Sequence, residues 1–278
     1  MLEVKNITVK AGNKTLLDNA SLKTEAGEVV AIVGANGAGK STLLKAVCGD
    51  IKRTQGDVFI NNKYLEDWDR CKLARVRAVL PQSSVLSFPF TVFEVALLGR
   101  NPHIRGRETK RDCDIAHEAL CATEADHLTE RFYPTLSGGE QQRTQLARVL
   151  AQIWEKPESS ERLLLLDEPT SSLDLAHQHA TLSLARKFAN EGVGVLTVLH
   201  DLNLASQYAD RVVMLKRGHL ICEGSPRKVF NSETIREVFS IDSVVMEHPT
   251  LPCPLVIPAV VRNVNNNGNL QLAVGVVS

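Results

Sequence analysis

Apolar residues fall along this chain in two patterns. Val29-Val30-Ala31-Ile32-Val33, Leu163-Leu164-Leu165-Leu166 and residues 193–199 are apolar runs with few polar breaks. Short runs of this kind predict strands of a parallel sheet covered on both faces. Residues 2–9 instead alternate apolar with polar or charged side chains, the period of an antiparallel strand with one wet face. Ala11-Gly12-Asn13-Lys14 is turn chemistry, followed by a second strand at 16–22. Val58-Phe59-Ile60 is a further strand, set between the turns Gln55-Gly56-Asp57 and Asn61-Asn62-Lys63. Helical signals lie between these runs. Residues 41–48 read as a helix closed by Gly49. The charge-rich residues 65–77 read as one helix, with a short strand within 76–81. Thr91 caps a helix stopped by Gly99, and 110–122 is amphipathic, with Ile115, Ala119 and Leu120 on its apolar face. Ser171-Ser172-Leu173-Asp174 starts a helix running to about residue 190. Residues 212–224 have a hairpin signature and 225–239 read as two short helices. Beyond 240 come scattered prolines and Asn265-Asn266-Asn267-Gly268, read as strand or loop with a turn.

Antiparallel strands, then buried strands alternating with helices, with a helical stretch from 83 to about 151 inserted, predict an α/β fold. The turn between the first buried strand and its helix carries the chemistry. Gly34-Ala35-Asn36-Gly37-Ala38-Gly39-Lys40-Ser41 fits the spacing Gly, four residues, Gly-Lys-Ser/Thr of a phosphate-binding loop. Small residues let the backbone curl around a phosphate chain, and its amides and the helix N-terminus face the negative charge. Lys40 is then placed for the β- and γ-phosphates and the Ser41 hydroxyl for Mg²⁺. The expected fold is a P-loop NTPase (RecA-like) core sheet with an antiparallel β subdomain and an inserted α-helical subdomain.

Three further stretches bear on the same chemistry. Leu163 to Leu166 end in Asp167-Glu168, two carboxylates at the carboxyl end of a buried strand, where α/β sheets bind ligands. Asp167 suits Mg²⁺ and Glu168 suits the base that deprotonates an attacking water; an Asp-Glu pair there also serves simply as a helix cap. His200-Asp201 ends the strand at 193–199, so His200 meets a γ-phosphate or, with Asp201, caps the next helix. Ser137 and Glu140, three apart in Leu136-Ser137-Gly138-Gly139-Glu140-Gln141-Gln142-Arg143, form a capping box; by itself that segment is a helix start.

Composition narrows the field. Lys plus Arg and Asp plus Glu number 32 each, which argues against a dedicated nucleic-acid binder. Six cysteines include no CxxC pair, so zinc and thioredoxin-type readings are set aside in favour of reduced thiols in a cytosolic protein. His177 and His179 stand two apart on a helix, face different ways, and read as exposed surface. The N-terminus does not read as a signal peptide, and no apolar run approaches the roughly 18 residues of a membrane span, so any membrane work goes through a partner.

In order, Gly34 to Ser41, Gln82, Leu136 to Arg143, Leu163 to Glu168, Ser171 to Asp174 and His200 resemble the Walker A, Q-loop, signature, Walker B, D-loop and H-loop of an ABC ATPase cassette. The resemblance covers residues 1–240 and leaves 241–278 as a C-terminal tail. It implies ATP and Mg²⁺ as ligands. ATP contacts would come from Gly34, Ala35, Asn36, Gly37, Ala38, Gly39, Lys40, Ser41, Thr42 and Gln82. In a head-to-tail homodimer, Ser137, Gly138, Gly139 and Glu140 of the other copy would complete the site. Mg²⁺ would fall to Ser41, Gln82 and Asp167, and hydrolysis to Glu168 with His200. Gln82 and the helical subdomain would meet a transmembrane permease. Soluble ABC ATPases of DNA repair or translation carry long coiled-coil insertions or paired cassettes; there is no heptad run between Lys40 and Ser137 and no second P-loop. A regulator without turnover would not need Glu168 and His200.

A narrower similarity lies in Ser87-Phe88-Pro89-Phe90-Thr91-Val92 and Leu98-Gly99-Arg100-Asn101-Pro102-His103, which resemble importers of iron chelates, heme and vitamin B12. The long segment 150–162 and Asp174-Leu175-Ala176-His177-Gln178-His179 are similar to hemin-import ATP-binding subunits. That similarity implies heme import at the cytoplasmic face of a bacterial inner membrane, with a periplasmic heme-binding protein as an indirect partner; ferric siderophore and vitamin B12 are the alternative cargoes. The sequence departs from the ABC pattern at one place. The family's adenine-stacking Tyr near Ala11 is missing and the first aromatic is Phe59, which predicts weak discrimination between ATP and GTP.

Overall fold

The computed structural model describes residues 1–83, 86, 88–157, 160–259, 262–264 and 270–272. Ser87, part of the segment 150–162 and the Asn265 turn therefore lie outside the described residues in whole or part.

The chain opens with β1 (Leu2–Ala11), β2 (Lys14–Thr24) and β3 (Val29–Gly34), then α1 (Lys40–Cys48), β4 (Gln55–Ile60), β5 (Lys63–Tyr64), α2 (Arg70–Val76) and β6 (Arg77–Leu80). Three helices follow, α3 (Val92–Leu98), α4 (Lys110–Ala122) and α5 (Gly138–Gln152). The chain returns to strand–helix alternation with β7 (Leu163–Asp167), α6 (Leu175–Asn190), β8 (Gly194–Val198), α7 (Leu202–Tyr208), β9 (Arg211–Lys216) and β10 (His219–Gly224). Helices α8 (Pro226–Val229) and α9 (Ser232–Phe239) precede the pairs β11 (Ser243–Glu247) with β12 (Pro254–Pro258) and β13 (Arg262–Val264) with β14 (Leu270–Leu272).

The main sheet runs β10-β9-β3-β8-β7-β6. Within it β3 is parallel to both β8 and β9, and β7 to both β6 and β8. Every residue of β3, β7 and β8 is buried, which is what their unbroken apolar runs require. A second, antiparallel sheet, β2-β1-β4-β5, lies against the α1 side through one shared core that includes Ile7, Leu17, Leu43 and Leu44. A separate apolar cluster, including Val92, Val95, Ile115, Leu120 and Ala147, holds α3, α4 and α5 together. A P-loop core sheet, an antiparallel β layer and an inserted helical layer are thus all present.

The single helix expected over 65–77 is broken. Residues 65–67 make a 3₁₀ turn, and the Trp68 indole N–H donates to Ile60 O at 3.2 Å. The Asp69 carboxylate then accepts from Lys72 N at 3.0 Å and starts α2 afresh. A local cap and one long-range hydrogen bond outweigh helix propensity.

Candidate functional site

The phosphate-binding loop joins β3 to α1 as its flanks predicted. Gly34 is required by close packing, since a Cβ there would lie 2.3 Å from Leu215 O. Gly39 precedes α1 with φ 106, a left-handed backbone that a side chain would strain. Inside the loop Ala38 N donates to Ala35 O at 3.1 Å. The Lys40 ammonium donates to Gly34 O at 2.8 Å and Ala35 O at 3.2 Å. Burial lowers the Lys40 pKa, opposed by the nearby Glu168 and Asp167 carboxylates.

The carboxyl end of β7 closes the other side. The Ser41 hydroxyl donates to Asp167 Oδ1 at 3.1 Å, which brings the two proposed metal oxygens together from positions 126 residues apart. Burial raises the Asp167 pKa, against the hydrogen bond from Ser41. Glu168 sits one residue on at φ 52, an uncommon backbone for a non-glycine residue. That conformation delivers its nearly buried carboxylate to two partners: Gln82 Nε2 donates to Oε2 at 2.9 Å, and His200 Nε2 is 2.6 Å from Oε1. Asp201, not His200, caps α7, accepting from Asn203 N and Leu204 N at 2.7 and 3.0 Å. The helix-cap reading of the His200-Asp201 pair thus falls to Asp201, and His200 is left facing Glu168.

Asn36, Gly37, Gly39, Lys40, Ser41, Thr42, Gln82, Glu168 and His200 all line one cleft of about 1060 Å³. Its other walls are Lys14, Thr15 and Leu16 at the start of β2, and Arg217 in the β9–β10 turn. Those four were missed from the sequence; the Arg-Gly pair in the hairpin was the only local signal. The Gln82 amide nitrogen bonds to Glu168, which leaves its amide oxygen to serve as the expected metal ligand, while Ser41 and Asp167 bond to each other.

Ser137, Gly138, Gly139 and Glu140 are not in this cleft. They start α5 with a complete capping box: Glu140 N donates to Ser137 Oγ, and Glu140 Oε2 accepts from Ser137 N at 2.7 Å. That backbone N–H, with the Ser137 hydroxyl, holds the Glu140 carboxyl below its ordinary pKa. Arg131 pairs with the same carboxylate at 3.1 Å. Glu140 is thus held as the cap of its own helix within one chain. Gly139 packs against the segment after Glu168, for a Cβ there would lie 3.2 Å from Ser172 O.

The two histidines of α6 are not simply exposed surface. His177 Nδ1 lies 2.8 Å from Asp174 Oδ1, with Glu124 Oε2 3.8 Å from its other nitrogen. His179 Nδ1 lies 2.9 Å from the Tyr208 hydroxyl. As expected from their spacing, they face different neighbours.

The arrangement fits Mg²⁺ and a nucleoside triphosphate. Hard oxygens from Ser41 and Asp167 suit an ion that keeps several waters and takes its remaining ligands from phosphate. The Gly-rich loop and the uncapped start of α1 suit the phosphates themselves.

Comparison with known proteins gives the family. The ABC transporter family model matches residues 17–171. The hemin import ATP-binding protein HmuV of Gloeobacter violaceus is 56% identical over 275 residues, 99% of this chain and 100% of that one. A metal-chelate type ABC transporter in an inward-facing conformation matches with TM-score 0.74 and 28% identity, over 93% of this chain and 96% of the other. A dimeric ATP-binding cassette in a post-hydrolysis state, bound to ADP and Pi, matches with TM-score 0.70 and 29% identity, over 81% and 98%. The chain belongs to the ABC transporter family, and within it to the ATP-binding subunits that include the hemin import proteins.

Proposed function

We propose that this chain works as a homodimer on the cytoplasmic face of the bacterial inner membrane, where ATP hydrolysis energises import of heme through a membrane permease. It is an ATP-hydrolysing subunit by family. The observation that carries the cargo assignment is 56% identity to a hemin import ATP-binding protein over nearly the whole chain. Among the described residues no helix is long and apolar enough to cross a membrane, so the route for heme belongs to the permease.

The proposed roles follow from the cleft. The amides of residues 34–42 cradle the phosphate chain and Lys40 neutralises its β and γ groups. Ser41 and Asp167 hold Mg²⁺, which neutralises charge between those phosphates when bound. Glu168 takes the proton of the attacking water, and His200, 2.6 Å away, orients that carboxylate and meets the γ-phosphate. Gln82 senses the state of Glu168 through its own hydrogen bond and passes it to the helical layer, where the permease docks. Ser137, Gly138 and Gly139 complete the second face of the nucleotide from the other copy, with the positive end of α5 behind them. A periplasmic heme-binding protein would act upstream of the permease. Nucleic acid has no part in this reading.

The structural likeness to a metal-chelate type transporter keeps ferric siderophore and vitamin B12 as the competing cargoes. Growth of a deletion strain on hemin as sole iron source, beside siderophore and vitamin B12 controls, separates the three. Loss of growth on hemin alone is the expected result; unimpaired growth on hemin overturns the cargo.

A further inference from the structure

The cleft has a base-binding end without an aromatic. Phe59, the first aromatic in the sequence, is tied up elsewhere, 4.3 Å from the Tyr64 ring and beneath the Lys5 ammonium. Among the described residues, no Phe, Tyr, Trp or His lines the cleft apart from His200 at the reacting end. The phosphate loop divides that cleft. Its Ser41 side meets Asp167, whereas a Cβ at Gly39 would lie 3.1 Å from Leu16 O and 3.6 Å from Gly218 Cα. With the terminal phosphate among Gln82, Glu168 and His200, the base falls towards Leu16 and the β9–β10 turn.

Arg217 occupies that turn in an unusual way. Lys216 pairs with His219, so Arg217 and Gly218 form a two-residue loop, at φ 48 and 86. This is the geometry of a type I′ turn, whose first position favours Asn, Asp or Gly over a bulky side chain. The loop is also fixed to the nucleotide cradle. Gly218 N donates to Ala38 O at 2.8 Å, and Gly218 O accepts from Asp18 N at 3.0 Å. The Arg217 side chain is exposed and, among the described residues, makes no hydrogen bond or ion pair. A guanidinium is planar and weakly hydrated and stacks on aromatic faces; the ammonium of Lys14, which also lines the cleft, is a compact, strongly hydrated charge with no plane to offer.

We propose that Arg217 is the nucleobase-contacting residue of this ATPase, its guanidinium stacking on the purine of the bound nucleotide in place of an aromatic ring. This rests on the nucleotide-binding reading of the cleft. Stacking on a π-face does not read exocyclic groups, so ATP and GTP are held about equally.

The test uses calorimetric titration of the full-length chain with Mg²⁺ and three probes: ATP, GTP and inorganic tripolyphosphate. Arg217→Asn creates the favoured Asn-Gly turn, so its melting temperature should equal or exceed that of the parent chain. It should weaken ATP and GTP by about five- to tenfold, the low end of a base–aromatic stack at an exposed cleft, and leave tripolyphosphate unchanged. Arg217→Trp should restore the base-dependent affinity and Arg217→Lys should not. Equal weakening of tripolyphosphate, rescue by Lys rather than Trp, or unaltered ATP affinity in Arg217→Asn would each overturn the assignment. Failure of the parent chain to bind ATP at all would instead remove the nucleotide reading on which it stands.

Discussion

Two helices of this chain begin in opposite ways. Helix α1 starts behind Gly39 with no side-chain cap and no acidic residue in its first turn. Helix α5 starts behind Ser137 with a complete capping box and the Glu140 carboxylate in its first turn. The first-turn amides of a helix lack intrahelical acceptors and carry partial positive charge, so an uncapped start invites an anion. By that rule α1 is a phosphate seat within one chain, whereas α5 has one of its first-turn amides taken by Ser137 and lies outside the cleft. On the reading proposed above, one copy holds the nucleotide and the start of α5 reaches it only when a second copy presents it.

The largest effects should come from the α1 side. Lys40→Ala is expected to reduce ATP affinity at least about a hundredfold, since it strips a buried cation from a phosphate site; calorimetry reads it directly. Glu168→Gln keeps the hydrogen-bonding shape but not the base. Steady-state hydrolysis should fall by about 10²–10⁴-fold while ATP binding persists. Normal turnover in that variant would show that another group takes the proton.

An intermediate effect is expected at α5. A Cβ at Gly138 would make only ordinary contact, with Ser172 Cβ at 3.9 Å, so Gly138→Asp is predicted to fold. It adds a second carboxylate where α5 would meet the partner's nucleotide. Hydrolysis should fall more than about tenfold by charge repulsion, with ATP affinity of the single chain unchanged. A parallel loss of single-chain ATP affinity would place α5 inside its own cleft and erase the contrast.

The smallest effect should be that of Ser137→Ala, which removes one capping hydrogen bond. The cost is about 0.5–2 kcal/mol of stability, read as a lower melting temperature, again without loss of single-chain ATP binding.

The contrast also shows which features the sequence announces. Strands β3, β7 and β8 were legible because full burial leaves unbroken apolar runs, and the loop at Gly34 to Ser41 because its spacing comes with a strand and a helix. Features decided by distant partners were not. The break at Trp68 depends on Ile60 O, and the surroundings of His179 on Tyr208. Gln82 was assigned to the metal from its motif; its amide nitrogen also bonds to Glu168, a contact visible only once β6 and β7 pair. Arg217 shows in the sequence only as part of a hairpin turn, and its place at the cleft appears once that turn folds onto Ala38. Glu140 is the converse case: its capping box was plain in the spacing because both partners lie within four residues.

The most direct test of the two-copy site is light scattering of the Glu168→Gln chain with and without Mg²⁺-ATP. Twice the chain mass with ATP and single mass without it is the predicted result, and Gly138→Asp in the same background should return the protein to single mass. Single mass throughout, even with ATP bound and the permease supplied, would contradict the sandwiched nucleotide and the motor built on it.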